Sequence, residues 1–580
     1  MRVYFLLILM LPAVSGSILH AEEVRLDRPV AVIVEQEKNL AWVANGGNGH
    51  IVTVDLEQQQ IIRDLPIGQR LSDLVQLPGQ PNILAADPDR RELILLKTVK
   101  DKLNVLRRIP LPLEPDRLAV SQEGNFVAVT SPSEPALCLV DLKQHSESQP
   151  VIDLIPLSVP VRNVMVLPDG KSLATDRFGG RLFVIDPVAK IVVTEHEFRG
   201  HNIRGLTLDH SGESVLVAHQ ILSRLSHSTY EDIHWGMLLQ NVISRIPLAS
   251  LLQEEVDLNR ARRLIHVGNA TDAAADPFDI IPHDSGYIVT ASGADKVIVR
   301  VHTNVQPQTI ATDHRPTRLA RINKRRVLLL NEFSDSLQIL EPTTEKASWW
   351  EVTATIGTPR EELSAAERGE RLFYDARLTH DRWFSCNSCH VDGHSPDLFA
   401  DTLGDGAYGN PKRIPSLLGT GDTGPWGWTG SLTSLEDQIE KTLDSTMHGG
   451  MDDDETVRDL AAYLKTLPAP EPHPVEKRAD VTRGRELFQS LNCNRCHRPS
   501  AYTSPKAYDI GLTDENGLSQ FNPPSLRGVS RRRSFLHDGQ AKTLKDAIEH
   551  HAGEADSSRA KFEKLSGDEQ QALLEFLQSL

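Results

Sequence analysis

The segment Cys386-Asn387-Ser388-Cys389-His390 is a C-x-x-C-H motif, and Cys493-Asn494-Arg495-Cys496-His497 is a second one. Two thiols at this spacing can add to the two vinyl groups at one edge of a porphyrin, and the histidine that follows then reaches the iron. A zinc site would need two further ligands for each cysteine pair, and neither motif has another C-x-x-C beside it. The motifs therefore predict two covalently bound c-type haems, with His390 and His497 as iron ligands and the four cysteines as thioether residues.

The sequences around the two motifs repeat each other. An amphipathic segment with an Arg-Gly pair precedes each motif, at Arg368-Gly369 and at Arg483-Gly484, and a Pro-Ser-Leu turn and two helical segments follow it. This shared order predicts two all-α cytochrome c lobes of one duplicated design. The predicted boundaries are 360–467 for lobe 1, 468–480 for a proline-rich linker and 481–580 for lobe 2.

Residues 22–350 carry a different repeat, in which a short apolar strand follows turn-like residues. Most steps are close to the ~40 residues of a four-stranded propeller blade. The strands begin near Asn39, Asn82, Asn125, Ser172, Ser214, Gly286 and Arg326. These hairpins predict a seven-bladed β-propeller, because a two-sheet β-sandwich would not need so regular a period. The segment resembles the YVTN-type propellers of bacterial surface and periplasmic proteins, so the whole chain is predicted to be multidomain, β then α.

One step of the repeat is much longer than the others, between Val215 and Tyr287. It contains an insertion, residues 221–241, whose aromatic and imidazole side chains are His227, Tyr230, His234 and Trp235. A long loop in a compact domain is either a plain surface loop or a functional one. Because such side chains suit an interface with a haem region, our hypothesis is that the insertion packs against the C-terminal lobes.

The N-terminus has the pattern of a secretory signal peptide. Arg2 precedes the apolar run 3–11, and Pro12 and several small residues follow, so cleavage is expected after Gly16 or Ala21. The alternative, a membrane anchor, would need about 20 apolar residues. The sequence therefore predicts residues 1–21 as a signal peptide and a protein that is periplasmic or otherwise exported.

The net charge limits the possible partners, and the sequence around the fifth cysteine indicates its structural role. The chain has 62 basic and 79 acidic residues, and its net charge of −17 argues against nucleic acid or an anionic membrane surface as a partner. Cys138, the fifth of five cysteines, lies in an apolar run. It is predicted to be a buried small hydrophobic residue.

From about residue 360 onward the chain resembles the bacterial di-haem cytochrome c peroxidase superfamily, with both halves in order. The resemblance implies that Trp428, just before Thr429-Gly430, lies between the two haems and relays electrons; core packing is the alternative. Members of this superfamily often hold a calcium ion between the lobes. A calcium ion is therefore an option here too, although no acidic loop specifies one.

The second half resembles one branch of that superfamily, the di-haem oxidoreductases. Their ending has a histidine in a His-Gly-Gly-Glu-Ala run, and this chain has His550-His551-Ala552-Gly553-Glu554-Ala555 there. The resemblance implies His551 as the sixth ligand of the second haem, with His550 as the fallback. Ligation by two histidines lowers the potential relative to a His/Met pair, which would make this haem an electron-transfer centre.

The first half departs from the superfamily. The capping histidine of standard peroxidases has only His394 as a counterpart, which is too close to His390 to reach the other haem face. The catalytic glutamate is missing from 446–451, so the first haem is either five-coordinate or capped by Met447, His448 or Met451. Met447 as a ligand is favoured because Met–Fe pairs are common in c-type cytochromes. An open site with His448 as a distal acid/base would still permit peroxide chemistry.

The motifs and the resemblance together suggest two alternative functions. The first is an exported di-haem oxidoreductase of the peroxidase type, in which Trp428 carries electrons between the haems and the oxidant is a small molecule such as hydrogen peroxide. The second is a non-enzymatic electron-transfer protein with two six-coordinate haems and the propeller as the module that recognises a redox partner protein. A weaker third option, a propeller that is itself a dehydrogenase, has no nucleophile, metal cluster or cofactor motif to support it. The sixth ligand of the first haem distinguishes the first two.

Overall fold

The structure, a computed structural model, describes residues 24–580 except 144–149, 302–305, 344–348, 361, 396, 404–405, 452 and 471–477. The predicted signal peptide and much of the predicted linker lie outside the described residues. The described chain forms a ring of β-sheets followed by a helical region. No helix in this part of the chain is long and apolar enough to cross a membrane.

The ring is a seven-bladed β-propeller, as predicted. Across the described residues, seven four-stranded antiparallel sheets follow one another, and each is built from consecutive strands. The strands are Pro29–Glu35, Leu40–Asn45, His50–Asp55 and Gln60–Pro66 in blade 1; Asp73–Gln76, Asn82–Asp87, Glu92–Val99 and Lys102–Pro110 in blade 2; Leu118–Val120, Phe126–Val129, Ala136–Asp141 and Ile152–Pro156 in blade 3; Val161–Val166, Ser172–Asp176, Arg181–Asp186 and Ile191–Glu197 in blade 4; His201–Leu208, Ser214–Leu222, Leu239–Pro247 and Arg263–His266 in blade 5; Pro277–His283, Gly286–Ala291, Lys296–Arg300 and Gln308–Ala311 in blade 6; and Pro316–Arg321, Val327–Asn331, Ser336–Pro342 and Trp350–Ile356 in blade 7.

Blade 5 carries additions that account for the long step in the repeat. Helix α1 (Tyr230–His234) lies between its second and third strands, and α2 (Leu248–Leu251) and α3 (Leu258–Ala261) lie between its third and fourth. A two-stranded hairpin, Gly268–Asn269 with Asp272–Ala273, then leads to blade 6.

Burial follows the position of a strand within its blade. In blade 1, strand Leu40–Asn45 is buried throughout because neighbouring blades pack on both of its faces, whereas the outer strand Gln60–Pro66 alternates between exposed and half-buried residues. Val43 of blade 1 packs in one cluster with Leu328 of blade 7, so side-chain packing between complete blades closes the ring. Cys138 is fully buried in the core shared by blades 2 and 3.

Two helical lobes follow the propeller. Lobe 1 contains α4 (Ala365–Phe373), α5 (Cys386–Cys389), α6 (Leu435–Thr442) with a π-helical turn after it (Leu443–Met447), α7 (Asp454–Thr466) and the short strands Phe399–Ala400 and Lys412–Arg413. Lobe 2 contains α8 (Arg478–Ser490), α9 (Leu544–Glu549), α10 (Asp556–Phe562), α11 (Gly567–Gln578) and the short strands Tyr508–Asp509 and Gln520–Phe521.

The two lobes repeat each other down to single contacts. Helix α4 meets α7 at Gly369 and α8 meets α11 at Gly484, where a Cβ atom would lie only 1.8 Å from the Asp459 carbonyl oxygen and 2.0 Å from that of Ala572. Helices α6 and α9 both begin with a capping box of a hydroxyl residue and an aspartate. These matched features agree with the predicted duplication, and the observed architecture confirms the predicted fold class.

Candidate functional site

Helix α5, which begins and ends with the two cysteines of the first motif, rests on the propeller. The hydroxyls of Ser385 and Ser388 donate hydrogen bonds to the two carboxylate oxygens of Asp276, over 2.5 and 2.7 Å. Nε2 of His201 donates to the Ser388 carbonyl over 2.8 Å. All four residues are buried. The propeller therefore holds the helical turn that carries both thiols.

Asp392, two residues after His390, is bound by three arginines of blades 4 and 5. Arg162, Arg177 and Arg204 approach its carboxylate oxygens to 2.5, 3.1 and 2.7 Å. Burial alone would raise the pKa of Asp392, but the charges of Arg162, Arg204 and Arg177 bring it well below its usual range. Asp392 is therefore ionised, and this charge cluster fastens the first motif to the propeller.

The histidines of the two motifs are oriented in the same way. Nδ1 of His390 donates to the Pro415 carbonyl over 3.0 Å, and Nδ1 of His497 donates to the Tyr502 carbonyl over 3.1 Å. This arrangement presents Nε2 as the iron-binding nitrogen, and metal-binding histidines commonly use it. Burial lowers the pKa of both histidines to about 4. Both are therefore neutral at neutral pH, which is the form that binds a metal.

His551 lies close to His497. Its Nδ1 donates to the Ala547 carbonyl over 2.6 Å, and its charge contributes, after burial, to the lowered pKa of His497. His550 is exposed instead, and its Nδ1 donates to the Asp546 carbonyl over 2.7 Å. Of the two adjacent histidines, His551 is therefore the one whose charge acts on the histidine of the second motif.

The residues that follow α6 lie beside the first motif. The sulfur of Met447 is 3.9 Å from that of Cys386, and its side chain is buried in the core of lobe 1. His448 has a left-handed backbone conformation, with φ of +55°, and its Nε2 donates to the Ser228 carbonyl of the insertion over 2.8 Å. Met451 is more than one-third exposed. Met447 and His448 therefore have different surroundings, one apolar and one hydrogen-bonded.

His394 is buried where lobe 1 meets the propeller. Its Nδ1 shares a hydrogen bond with the Ser416 hydroxyl over 2.9 Å, and its ring lies edge-on to that of Phe178, with the centroids 4.7 Å apart. Burial, together with nearby arginines, lowers its pKa to about 3. His394 is therefore a neutral residue of this interface.

Two family models match the helical region. Residues 364–469 match the model described as di-haem cytochrome c peroxidase, and residues 525–580 match the one described as di-haem oxidoreductase, putative peroxidase. The helical region is related to the di-haem cytochrome c peroxidases. Its geometry agrees with this relationship, because each lobe presents one half-buried histidine beside a cysteine pair.

Several curated proteins are similar in sequence to this chain, and their names agree with the family models. The methylamine utilization protein MauG of Methylophilus methylotrophus is 26% identical over 284 residues, which cover 38% of this chain and 82% of that protein. The cytochrome c551 peroxidase of Nitrosomonas europaea is 25% identical over 243 residues, 33% of this chain and 73% of that protein. The cytochrome c551 peroxidase of Pseudomonas aeruginosa is 23% identical over 290 residues, which cover 40% of this chain and 82% of that protein. All these matches cover less than half of this chain.

Trp428 lies where the two peroxidase-like lobes meet. Its carbonyl accepts a hydrogen bond of 2.9 Å from the backbone N–H of Asn522 in lobe 2. Its ring lies 6.3 Å from that of His537 in lobe 2, and the guanidinium of Arg413 lies 5.4 Å from its centroid. The residue is half-buried between the lobes, and its neighbours come from both of them.

Arg413 lies beside Trp428, and the carboxylate of Asp397 acts electrostatically on both Arg413 and Arg532. Arg413 is buried, and among the described residues its Nε has no hydrogen-bond partner. Arg532 donates to the Ser525 carbonyl over 2.7 Å, and burial, followed by the charge of Arg413, lowers its pKa to about 9. Buried cations normally have an anionic partner. Asp397 supplies one negative charge for two cations, and the carboxylate groups of a haem would supply more, so these residues fit the cofactor that the motifs imply.

The insertion in blade 5 packs against lobe 1, as hypothesised. Ile233, Leu238 and Leu239 are buried in the same cluster as Phe384 of lobe 1. Nε1 of Trp383 in lobe 1 donates to the carbonyl of His234 over 3.0 Å, and the ring of Tyr230 lies 4.4 Å from that of His448. The insertion therefore completes the core of the first lobe.

The propeller residues that hold the first motif were not found from sequence. Arg162 and Arg204 lie on the inner strands of blades 4 and 5, and Asp276 precedes the inner strand of blade 6. The available signal is a charge within a strand pattern that is otherwise apolar. A charge of this kind does not show which residue of lobe 1 it contacts, because each contact joins residues more than one hundred positions apart.

Proposed function

We propose that this protein is an exported di-haem c-type cytochrome oxidoreductase of the peroxidase type, with electron transfer between two covalently attached haems. One observation carries the proposal. In both lobes a cysteine pair stands beside a half-buried, neutral histidine whose Nδ1 donates to a carbonyl, which presents Nε2 to a metal. When bound, the haems would supply iron centres that accept and donate single electrons.

The residues that would hold the two haems follow from the same geometry. Cys386 and Cys389 would form the thioether bonds of the first haem, and Cys493 and Cys496 those of the second. Arg413 and Arg532 would neutralise carboxylate groups of a haem at the junction of the lobes, where these two cations have the single carboxylate of Asp397 acting on both of them.

Lobe 2 is the electron-entry side in this proposal. His497 and His551 would hold its iron, because a backbone carbonyl accepts the Nδ1 proton of each ring and leaves Nε2 to bind a metal. Six-coordination leaves no open position for an oxidant. Trp428, at the junction of the lobes, would pass electrons to lobe 1.

Lobe 1 is the reactive side, with His448 as the distal acid/base. Because Nε2 of His448 donates to the Ser228 carbonyl, the neutral ring keeps a lone pair on Nδ1 that can accept a proton from a bound oxidant. This role would replace that of the glutamate that the peroxidases use. Hydrogen peroxide is the small-molecule oxidant, and a redox protein is the electron donor.

The second candidate is a non-enzymatic electron-transfer protein in which the propeller recognises a partner. A specific observation favours it, since the buried sulfur of Met447 lies only 3.9 Å from that of Cys386. If Met447 binds the first iron, both haems are six-coordinate and peroxide has no open position.

The spin state of the first haem decides between these functions. Absorption and electron paramagnetic resonance spectra of the purified holoprotein would be recorded with and without peroxide, for wild type, Met447→Leu and the control Met451→Leu. A high-spin haem that reacts with peroxide in all three proteins supports the enzyme, and His448→Gln should then slow the reaction. Two low-spin haems that ignore peroxide, one of which becomes high-spin only in Met447→Leu, would establish the electron carrier instead.

A further inference from the structure

Three metal-ligating side chains meet where the insertion touches lobe 1. His234 belongs to α1 of the insertion, and His380 and Asp381 belong to the segment of lobe 1 that precedes the first motif. Nδ1 of His234 is 2.6 Å from Oδ2 of Asp381, and Nε2 of His380 is 3.3 Å from the same oxygen. One ligand atom from each residue lies within 4.8 Å of the other two.

We propose that His234, His380 and Asp381 form a binding site for a divalent transition-metal ion, Zn²⁺ by preference, that clamps the insertion onto lobe 1. Two imidazole nitrogens and one carboxylate oxygen are ligands that Zn²⁺ uses in proteins. Ligand atoms at about 2.0 to 2.1 Å from a tetrahedral zinc are about 3.3 Å from one another. One observed separation, 3.3 Å, matches this value and the other, 2.6 Å, is shorter, so small side-chain rotations would close the site.

The exposure of the site suits a fourth ligand from solvent. The side chains of His234, His380 and Asp381 are 38%, 32% and 35% exposed, so water can reach the open side. None of the three candidate ligands is a thiol. A site without sulfur disfavours the softer metal ions.

Neighbouring rings hold the two imidazoles in place. Tyr230 lies edge-on to His380, with ring centroids 5.0 Å apart, and Trp235 lies edge-on to His234 at 4.8 Å. Tyr230 also contacts the ring of His448. A metal ion bound here would therefore stiffen the segment whose carbonyl holds His448, while its binding does not depend on the function proposed for the haems.

A hydrogen-bonded histidine–aspartate pair explains the geometry less well. His50 with Asp64 and His314 with Asp295 are examples of such pairs in the propeller, and in each of them one imidazole lies 2.8 Å from a carboxylate oxygen. In the proposed site two imidazoles approach one carboxylate oxygen. Among the described residues, this is the one group of three such side chains that is arranged to hold a metal ion.

Metal binding would be measured on the holoprotein, in which the motif cysteines are consumed by thioether bonds. The chelator-treated protein would be titrated with Zn²⁺ by calorimetry, and zinc and iron would be counted by mass spectrometry. We expect one tightly bound zinc per two haem irons. His380→Ala and His234→Gln should each lower the affinity by ~100-fold or more, since loss of even an outer partner of a metal ligand costs ~10–100-fold. His50→Ala is the matched control and should bind zinc as wild type does.

Two further measurements make the test decisive. Unchanged haem absorption in the variants shows that they are folded, and X-ray absorption at the zinc edge should report imidazole ligands and no sulfur. The proposal is overturned if zinc binds wild type no better than it binds His380→Ala, or if the zinc edge shows sulfur ligation. It is also overturned if saturating Zn²⁺ raises the unfolding temperature of wild type and His380→Ala equally.

Discussion

Single backbone carbonyls orient several of the imidazole rings in this protein. The same Nδ1–carbonyl contact recurs at His390, His497 and His551, although the three carbonyls belong to unrelated positions of the chain. Each contact settles which ring nitrogen carries the proton, and therefore which nitrogen can bind a metal. His448 uses the opposite nitrogen, which is why a different role is proposed for it.

The adjacent histidines His550 and His551 allow a sharp test at this scale. We expect His551→Ala to convert one low-spin haem into a high-spin haem, because its half-buried ring is the one whose charge acts on His497. His550→Ala should leave the spectrum unchanged, since that ring is exposed. Electron paramagnetic resonance of both variants would measure the change, and a high-spin signal in His550→Ala alone would reverse the assignment.

A second test at this scale concerns the tryptophan between the lobes. Trp428→Phe should slow electron transfer between the haems while both remain bound, because the indole would be the relay that links the lobes. Trp426→Phe is the control, since its indole N–H bonds within lobe 1 to Thr420. The rate would be followed by stopped-flow reduction, and equal rates in both variants would assign Trp428 to packing alone.

At the scale of elements, each lobe depends on a glycine where two helices cross. Gly484→Ala should destabilise lobe 2 by ~1–3 kcal/mol, the usual cost of overpacking a close contact, because its Cβ would lie 2.0 Å from the Ala572 carbonyl oxygen. Gly567→Ala, at the start of α11, is the control because nothing lies within 4 Å of its added Cβ. Chemical denaturation followed by haem absorption would compare them, and equal midpoints would contradict the crossing geometry.

Blade 5 contains a buried histidine that should make the protein sensitive to acid. His219 is fully buried, its ring bonds to Ser244, and burial lowers its pKa from 6.5 to about 3. The unfolded chain binds this proton at higher pH than the folded chain, so stability falls as the pH drops from about 6.5 towards 3. The full effect is on the order of 3–5 kcal/mol, since each pKa unit is worth ~1.4 kcal/mol.

His219→Gln should therefore reduce the loss of stability between neutral and acidic pH. His210→Gln, at an exposed position, should leave the pH profile as it is in wild type. Denaturation midpoints measured across this pH range would show the difference. A His219→Gln profile as steep as that of wild type would mean that other groups carry the acid sensitivity.

On the scale of the whole molecule, the propeller and the first haem lobe form one structural unit. Asp392→Asn removes the carboxylate that three arginines share, and leaving buried charges without a partner costs ~3–5 kcal/mol. Asp153→Asn, which removes a surface ion pair with Lys190, should cost ~0–1 kcal/mol. Denaturation monitored separately by haem absorption and tryptophan fluorescence would measure both. If Asp392→Asn leaves the two transitions coincident and unshifted, the charge cluster does not fasten the lobe.

The sequence by itself determined the two C-x-x-C-H motifs, the duplicated lobes and the seven blades. These features are local, because thioether attachment needs two thiols within one helical turn and each blade is a run of consecutive hairpins. The same locality made the buried strand of Cys138 predictable. Sequence patterns therefore sufficed for the fold class, and the haem-binding residues that they indicate remain a prediction.

Only the tertiary structure decided how the two halves of the chain are joined. Asp276 reaches the serines of the first motif, Arg204 reaches Asp392, and His234 reaches Asp381, each across more than one hundred residues. No periodicity records such contacts, because each partner is a single polar residue within an otherwise apolar or loop pattern. Their pairing follows from the way the closed ring presents one face to lobe 1, and that is a property of the folded molecule.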